Sequence, residues 1–211
     1  MRDFPADGRL SIADEGLRVS RVVTDTLRMA LLKIARMGHP ALRGRAAEVQ
    51  DPGAPEIRRL AQDMLETMRD APGVGLAAPQ VYAPVRLIVV RVPADRAGGA
   101  GEPETVLINP ELTPLDAADA WGWEGCLSVP GMRGLVPRHN RVGLRALGLD
   151  GRVIEREADG FFARVLQHET DHLNGTLYVE RMPDLKLLAF EGEARHIEEA
   201  LRAADSAETP D

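Results

Sequence analysis

At 211 residues with 44% hydrophobic side chains, the chain is of a size for one domain with a substantial core. Its 26 basic and 33 acidic residues leave a net charge of −7, which gives no general attraction for phosphate backbones or anionic lipid and argues against direct nucleic-acid binding. No apolar run reaches the roughly 18 residues of a membrane helix, and the N-terminus lacks the apolar segment of a secretory signal. The one cysteine, Cys126, has no internal disulfide partner and suits a reducing compartment.

Met1 to Arg28 mixes basic residues with Asp3, Asp7, Asp14, Glu15 and Asp25, unlike an acid-poor transit peptide. Residues 1–28 are read as a flexible extension, with Met29 an alternative start, followed by one domain over 29–204 and a disordered tail over 205–211. Ile57, Leu60, Ala61, Met64, Leu65 and Met68 recur at helical spacing between Pro55 and Pro72, which predicts an amphipathic helix over 57–68. The branched run Val85 to Val92 predicts a strand, followed by a Gly-rich loop over 97–101 and a strand around Val106 to Asn109. Two more strands are expected at 141–149 and 152–158, turning at Asp150-Gly151. Phe161 to Asn174 reads as a helix with Asp159 as N-cap and Gly175 as its stop. Leu185 to Ala204 is expected to be another, weakened at Gly192. Helices and strands thus come in blocks without βαβ alternation, so the fold class is α+β with antiparallel sheet.

The chemistry concentrates in three patches. In Gln167-His168-Glu169-Thr170-Asp171-His172, the two histidines lie about 40° apart around a helix, so both imidazoles can reach one ion. Phe161 and Val165 share that face, which places the Glu169 carboxylate on an apolar, inward arc where only a nearby cation or proton makes it tolerable. Taken alone, the spacing also fits ordinary surface residues. A third ligand is needed; His39, His139 and His196 stand in unrelated contexts, whereas Glu124-Gly125-Cys126-Leu127-Ser128 sets a thiol beside glycine, where backbone can approach closely. The plainer alternative for Cys126 is a small buried hydrophobe. The third patch, Gly73-Val74-Gly75-Leu76-Ala77-Ala78-Pro79-Gln80, lacks the lysine and glycine spacing of a phosphate loop.

Together these patches resemble the peptide deformylase family, whose signatures Gly-x-Gly-x-Ala-Ala-Pro-Gln, Glu-Gly-Cys-x-Ser and His-Glu-x-Asp-His occur in this order. The resemblance covers roughly Leu31 to Met182. It implies antiparallel sheets packed around a central metal-binding helix, with an N-terminal amphipathic helix and a C-terminal helix. It also implies a divalent ion held by Cys126, His168 and His172, with hydroxide generated there attacking the formyl carbon of an N-terminal formyl-methionine and formate leaving. Gln80 and the Leu127 N–H would stabilise the oxyanion, and Glu169 would carry the proton. The peptide would lie as an added strand beside Val74 and Gly75. Its methionine would enter a pocket of Val74, Phe161 and Val165, with Arg133 touching the chain further along. Arg164 is expected at the pocket rim as a snorkelling side chain.

The family's association with oxygen-sensitive ferrous iron makes Fe²⁺ the expected ion, with Zn²⁺, Ni²⁺ or Co²⁺ as substitutes. Nascent formyl-methionyl peptides are the expected partners, in a bacterial cytoplasm. Transient ribosome contact fits such an enzyme, although the acidic C-terminal segment, with Glu191, Glu193, Glu198 and Glu199, is unsuited to ribosomal RNA. Two rivals stand beside this reading. One is a zinc metallopeptidase taking its third ligand from Glu180, Glu191 or His196. The other is a deformylase-like protein that binds peptide or metal without catalysis.

Overall fold

The computed structural model describes residues 30–97, 99–116 and 119–208; the expected extension 1–28, the alternative start at Met29 and residues 209–211 lie outside them. Helix α1 (Pro55–Asp70) carries Pro55 in its first turn, where the missing N–H costs no hydrogen bond. It buries Ile57, Ala61, Met64 and Met68, on the face their spacing predicts. Strands β1 (Gly75–Ala77) and β2 (Leu87–Val92) follow, then a single helical turn α2 (Ala94–Ala97) and the long strand β3 (Glu102–Pro114). β4 (Asp119–Cys126) pairs with β5 (Val129–His139), and β6 (Arg141–Leu147) with β7 (Val153–Asp159). Helix α3 (Gly160–Leu173) carries the two histidines, and the chain continues through β8 (Leu188–Phe190) to α4 (Ala194–Glu208). No helix among the described residues is long and apolar enough to cross a membrane.

Two antiparallel sheets result, ordered β1-β2-β3-β6-β7 and β4-β5-β8. Successive side chains of a strand point to opposite faces, and β2 uses both. Leu87 and Val89 join Met64 and Met68 of α1, whereas Ile88, Val90 and Val92 join Phe162, Val165 and Leu166 of α3. Burial on both sides is why this strand reads as a continuous apolar run. The second sheet contributes Val129 and Val136 to a cluster around Tyr178 and Leu177, and α3 touches β5 as well as β1, β2 and β3. The architecture is therefore α+β, with α3 central and the long amphipathic helix α1 on the opposite face of the larger sheet.

Several boundaries differ from those expected, each for a local reason. Strand β3 runs 13 residues rather than four, because a bulge between Ile108 and Glu111, with Asn109 at φ 50°, absorbs Pro110 without ending the strand. The hairpin β4-β5 is absent from the sequence reading, since Gly122, Gly125, Pro130, Gly131, Gly134 and Pro137 hide its alternation. Residues 185–193 do not form the continuous helix expected: single 3-10 turns at Leu185–Leu187 and Glu191–Glu193 flank Leu188–Phe190, which pairs with β5, and α4 begins only at Ala194. Cross-strand pairing there overrides the helical spacing. Helix α4 then continues to Glu208, through part of the expected disordered tail. The Asp150-Gly151 turn is present, with Gly151 at φ 75°. Asp159 occupies the N-cap position of α3 but makes no capping hydrogen bond. Gly175, at φ 78°, follows its C-terminus, where a Cβ would meet the Arg43 carbonyl oxygen at 2.6 Å.

Candidate metal centre and peptide cleft

Three elements converge on one point: α3 presents His168, Glu169 and His172, the end of β4 presents Cys126, and the turn after β1 presents Gln80. Ligand atoms of Cys126, His168 and His172 all lie within 4.8 Å of one another, and Cys126 Sγ is 3.2 Å from His172 Nε2. No other such cluster of metal-binding side chains occurs among the described residues. The donor set fits a transition-metal ion, since thiolate and imidazole suit borderline-soft cations and not magnesium or calcium. Burial works against ionising Cys126, yet His172 and His168 outweigh it and hold the thiol well below its ordinary range. A thiol so disposed could serve a metal ion as thiolate.

Glu124, two residues before the cysteine, orients the centre. Its Oε2 sits 2.8 Å from His168 Nδ1, while Arg138 reaches both carboxylate oxygens at 2.9 and 3.0 Å. Burial raises the Glu124 pKa, but the hydrogen bonds from His168 and Arg138 overcome it and hold the group at about 2. An ionised carboxylate can only accept, so the His168 proton belongs on Nδ1 and Nε2 remains for an ion. Arg138 also reaches Asp171 at 2.6 Å, and Arg181 binds Asp171 from the protein surface at 2.6 Å.

Arg164 lines the cleft as expected but does not snorkel, because it is 9% exposed and turns inward. Its guanidinium reaches Glu124 Oε1 at 3.0 Å and the carbonyls of Val136 and Ala120 at 2.8 and 2.6 Å. A carboxylate and carbonyls of β4 and β5 that accept its hydrogen bonds supply a better setting than water at the rim.

Glu169 is 4% exposed, and its Oε2 has no hydrogen-bond partner. Burial raises its pKa to about 7 against the opposing pull of His168 and His172. Gly75 makes room for it: a Cβ at position 75 would come within 2.6 Å of Glu169 Cδ. Gln80 is equally well fixed. Its Oε1 accepts from the Ala77 N–H at 2.8 Å, which aims Nε2 at Ser128 Oγ, 3.1 Å away, and at Cys126 Sγ, 3.5 Å away.

A cleft of about 430 Å³ opens at this centre, and Val74, Gly75, Leu127, Arg133, Phe161 and Val165 all line it. Strand β1 is an outer strand of its sheet, so it has an edge next to the cleft at which an extended chain can pair. The other histidines lie elsewhere. His39 accepts from the Ala41 N–H, His139 lies 3.4 Å from Asp116, and His196 lies among Glu193 and Glu199 of the C-terminal segment. Glu180 is taken up by the Leu177 N–H, and Glu191 lines the cleft without joining the metal-binding cluster. The sequence reading assigned no role to Glu124 and Ser128, although both flank Cys126 in the same short motif. Arg138 gave no local signal, since its partners lie 14 and 33 residues away in sequence. Trp123, also on the cleft wall, went unremarked.

A half-buried cysteine and two buried imidazoles, beside an unpartnered carboxylate and an open sheet edge, form a cluster that could hold a metal ion. The chain belongs to the polypeptide deformylase family of enzymes, whose model matches residues 31–187. It is 49% identical over 159 residues to peptide deformylase 2 of Bordetella bronchiseptica, covering 74% of this chain and 90% of that one. It is 43% identical over 175 residues to peptide deformylase 1 of Prochlorococcus marinus, covering 78% and 88%. Among solved structures, the Met-Ala-Ser-bound class I type b peptide deformylase of Acinetobacter baumannii is similar at 39% identity and a TM-score of 0.68, covering 73% of this chain and 99% of that one. The peptide deformylase of Thermotoga maritima is similar at 35% identity and a TM-score of 0.66, covering 74% and 99%.

Proposed function

We propose that the protein hydrolyses the N-formyl group from the N-terminal formyl-methionine of nascent peptides, releasing formate and a free amine. The observation that carries this reading is the buried Glu169 carboxylate, unpartnered at Oε2 and poised at about 7 beside the Cys126, His168 and His172 cluster. Cys126, His168 and His172 would hold a divalent ion, and when bound it supplies Lewis acidity towards water and the formyl oxygen. We assign Fe²⁺ to this site, with Zn²⁺, Ni²⁺ or Co²⁺ as substitutes, from the mixed sulfur and nitrogen donors and the family's association with ferrous iron.

Glu169 takes the proton of the attacking water and delivers it to the departing nitrogen, so the amine leaves uncharged. A group that titrates near neutrality serves in both directions. Gln80 Nε2 donates to the formyl oxygen as charge builds there, held on aim by the Ala77 N–H. The Leu127 N–H, in the turn between β4 and β5, is the second donor. Val74 and Gly75 offer backbone groups at the β1 edge, where pairing does not depend on side-chain identity. Methionine enters between Val74, Phe161 and Val165, and Arg133 contacts the chain beyond it. Binding of Met-Ala-Ser by the Acinetobacter baumannii relative supports a peptide beginning with methionine as the ligand. Ribosome contact is transient in this reading, and the exposed Glu191, Glu193 and Glu199 leave the C-terminal segment unsuited to RNA.

The test is formate release from formyl-Met-Ala-Ser by the parent protein and by Glu169→Gln. Loss of general acid–base catalysis should lower kcat by about 10²- to 10⁴-fold. A Glu169→Gln variant with parental kcat would remove Glu169 from the chemistry.

A further inference from the structure

The metal-binding cluster draws on two elements that have to be held in register with each other. Helix α3 carries His168 and His172, whereas Cys126 ends β4, an outer strand of the smaller sheet. A register shift between Gly125 and Cys126 turns the end of that strand, so the place of the thiol depends on where the residues just before it are held. Arg164 stands on α3 one turn before His168 and grips that stretch. Its guanidinium donates to the carbonyls of Ala120 and Gly122 at 2.6 and 3.3 Å and to Glu124 Oε1 at 3.0 Å. Among the described residues, every other hydrogen bond between α3 and β4 involves His168 or His172 themselves.

Each oxygen of the Glu124 carboxylate has two partners. Arg138 and Arg164 meet at Oε1, and Arg138 and His168 at Oε2. Arg164 thus takes on one oxygen the place that His168 takes on the other, and the carboxylate cannot turn without breaking bonds on both sides. Arg138 already gives Glu124 one buried cation, so a second, with its desolvation cost, is not required for charge balance. What Arg164 adds is reach, because it also binds the Val136 carbonyl of β5 at 2.8 Å. Gly122 leaves room for it: a Cβ there would lie 2.8 Å from Arg164 Cζ.

The geometry points to Arg164 as a positioning residue for the metal centre: it fixes the Cys126 strand against the histidine helix and holds Glu124 in the pose that orients His168. The inference rests on Cys126, His168 and His172 being the ligands of the reading above, so the test reads metal binding, with formate release followed separately. Chelator-treated parent, Arg164→Met, Arg164→Lys and Gly122→Ala proteins are titrated with Co²⁺ against a chromogenic chelator. The thiolate-to-cobalt charge-transfer absorption of each is recorded, and urea unfolding of the metal-free proteins gives their folded fraction. Gly122→Ala keeps the charge but displaces the guanidinium, and it carries the test should Arg164→Met not fold.

Co²⁺ affinity should fall about tenfold in Arg164→Met, the lower end of the loss for a partner of a metal ligand, since His168 keeps Glu124. The charge-transfer band should weaken with it. Gly122→Ala should share both changes. Arg164→Lys should fall between Arg164→Met and the parent, because one ammonium cannot fork to carboxylate and carbonyls together. Parental affinity and parental absorption in folded Arg164→Met, or in Gly122→Ala where that protein does not fold, overturn the assignment and leave Arg164 a strut of β4 alone. Absence of the band from the parent removes Cys126 as a ligand and the inference with it. Variants that lose affinity and band, in a protein whose parent releases no formate, would sustain the inference while removing the reaction.

Discussion

Replacing Glu169 by glutamine removes a charge from a buried site without changing its shape, and its effect on stability should depend on pH. Burial lifts this carboxyl from 4.5 to about 7 in the folded protein, so the fold favours the protonated form. Below the unfolded pKa both states hold the proton and the parent pays nothing. As pH rises from about 4.5 to about 7, folding requires a proton that the unfolded chain has released, and stability falls by about 1.4 kcal/mol per pH unit. The accumulated cost is on the order of 3 kcal/mol, borne above pH 7 by the parent and not by the variant. Urea unfolding of chelator-treated protein at pH 5 and pH 8.5 measures it. Glu169→Gln should match the parent at pH 5 and exceed it by about 3 kcal/mol at pH 8.5. Reloading a divalent cation should narrow the gap, because positive charge favours the carboxylate. An equal difference between the proteins at both pH values would refute the argument that burial sets this pKa.

Gly75→Ala should lower kcat by about tenfold or more, because its Cβ would displace the Glu169 carboxyl and misplacement by about 1 Å can cost about 10²-fold; steady-state formate assays test this. Gln80→Ala removes the amide aimed past Cys126 and should cost about 10²- to 10³-fold in kcat, with parental values arguing against its oxyanion role. Glu124→Gln removes the charge that fixes the His168 tautomer and should weaken metal binding by about 10- to 100-fold, read by competition with a chromogenic chelator. The same variant should lose acid sensitivity. Glu124 ionises at about 2 in the fold against 4.5 ordinarily, so its stabilisation is present above pH 4.5 and disappears as pH falls towards 2.

Helix α3 and its histidine pair were legible because their information is local: four-residue spacing puts His168 and His172 on one face, and both are buried. The apolar β2 was legible for the same reason. Strands β4 and β5 were not, since glycine and proline obscure their alternation and the pairing joins Trp121 to Pro137 and Gly122 to Val136 across the hairpin. Cys126 was found through its motif, yet the cradle around it belongs to tertiary structure. Arg138 bridges Glu124 and Asp171 from a third position in the chain, and no window of sequence displays that. Arg164 misled for a related reason, because its helical position gave the direction of the side chain but not the carbonyls of β4 and β5 that draw it inward.

In the proposed function, Cys126, with His168 and His172, holds the ion on which deformylation depends. Formate release from a formyl-methionyl peptide, by protein prepared without oxygen and loaded with Fe²⁺, tests it most directly when metal content is measured on the same samples and Cys126→Ala is run alongside. The expected result is about one ion per chain with rapid formate release in the parent, and loss of both in Cys126→Ala. Formate release that persists undiminished in Cys126→Ala, or a fully metal-loaded parent that releases none, would contradict it.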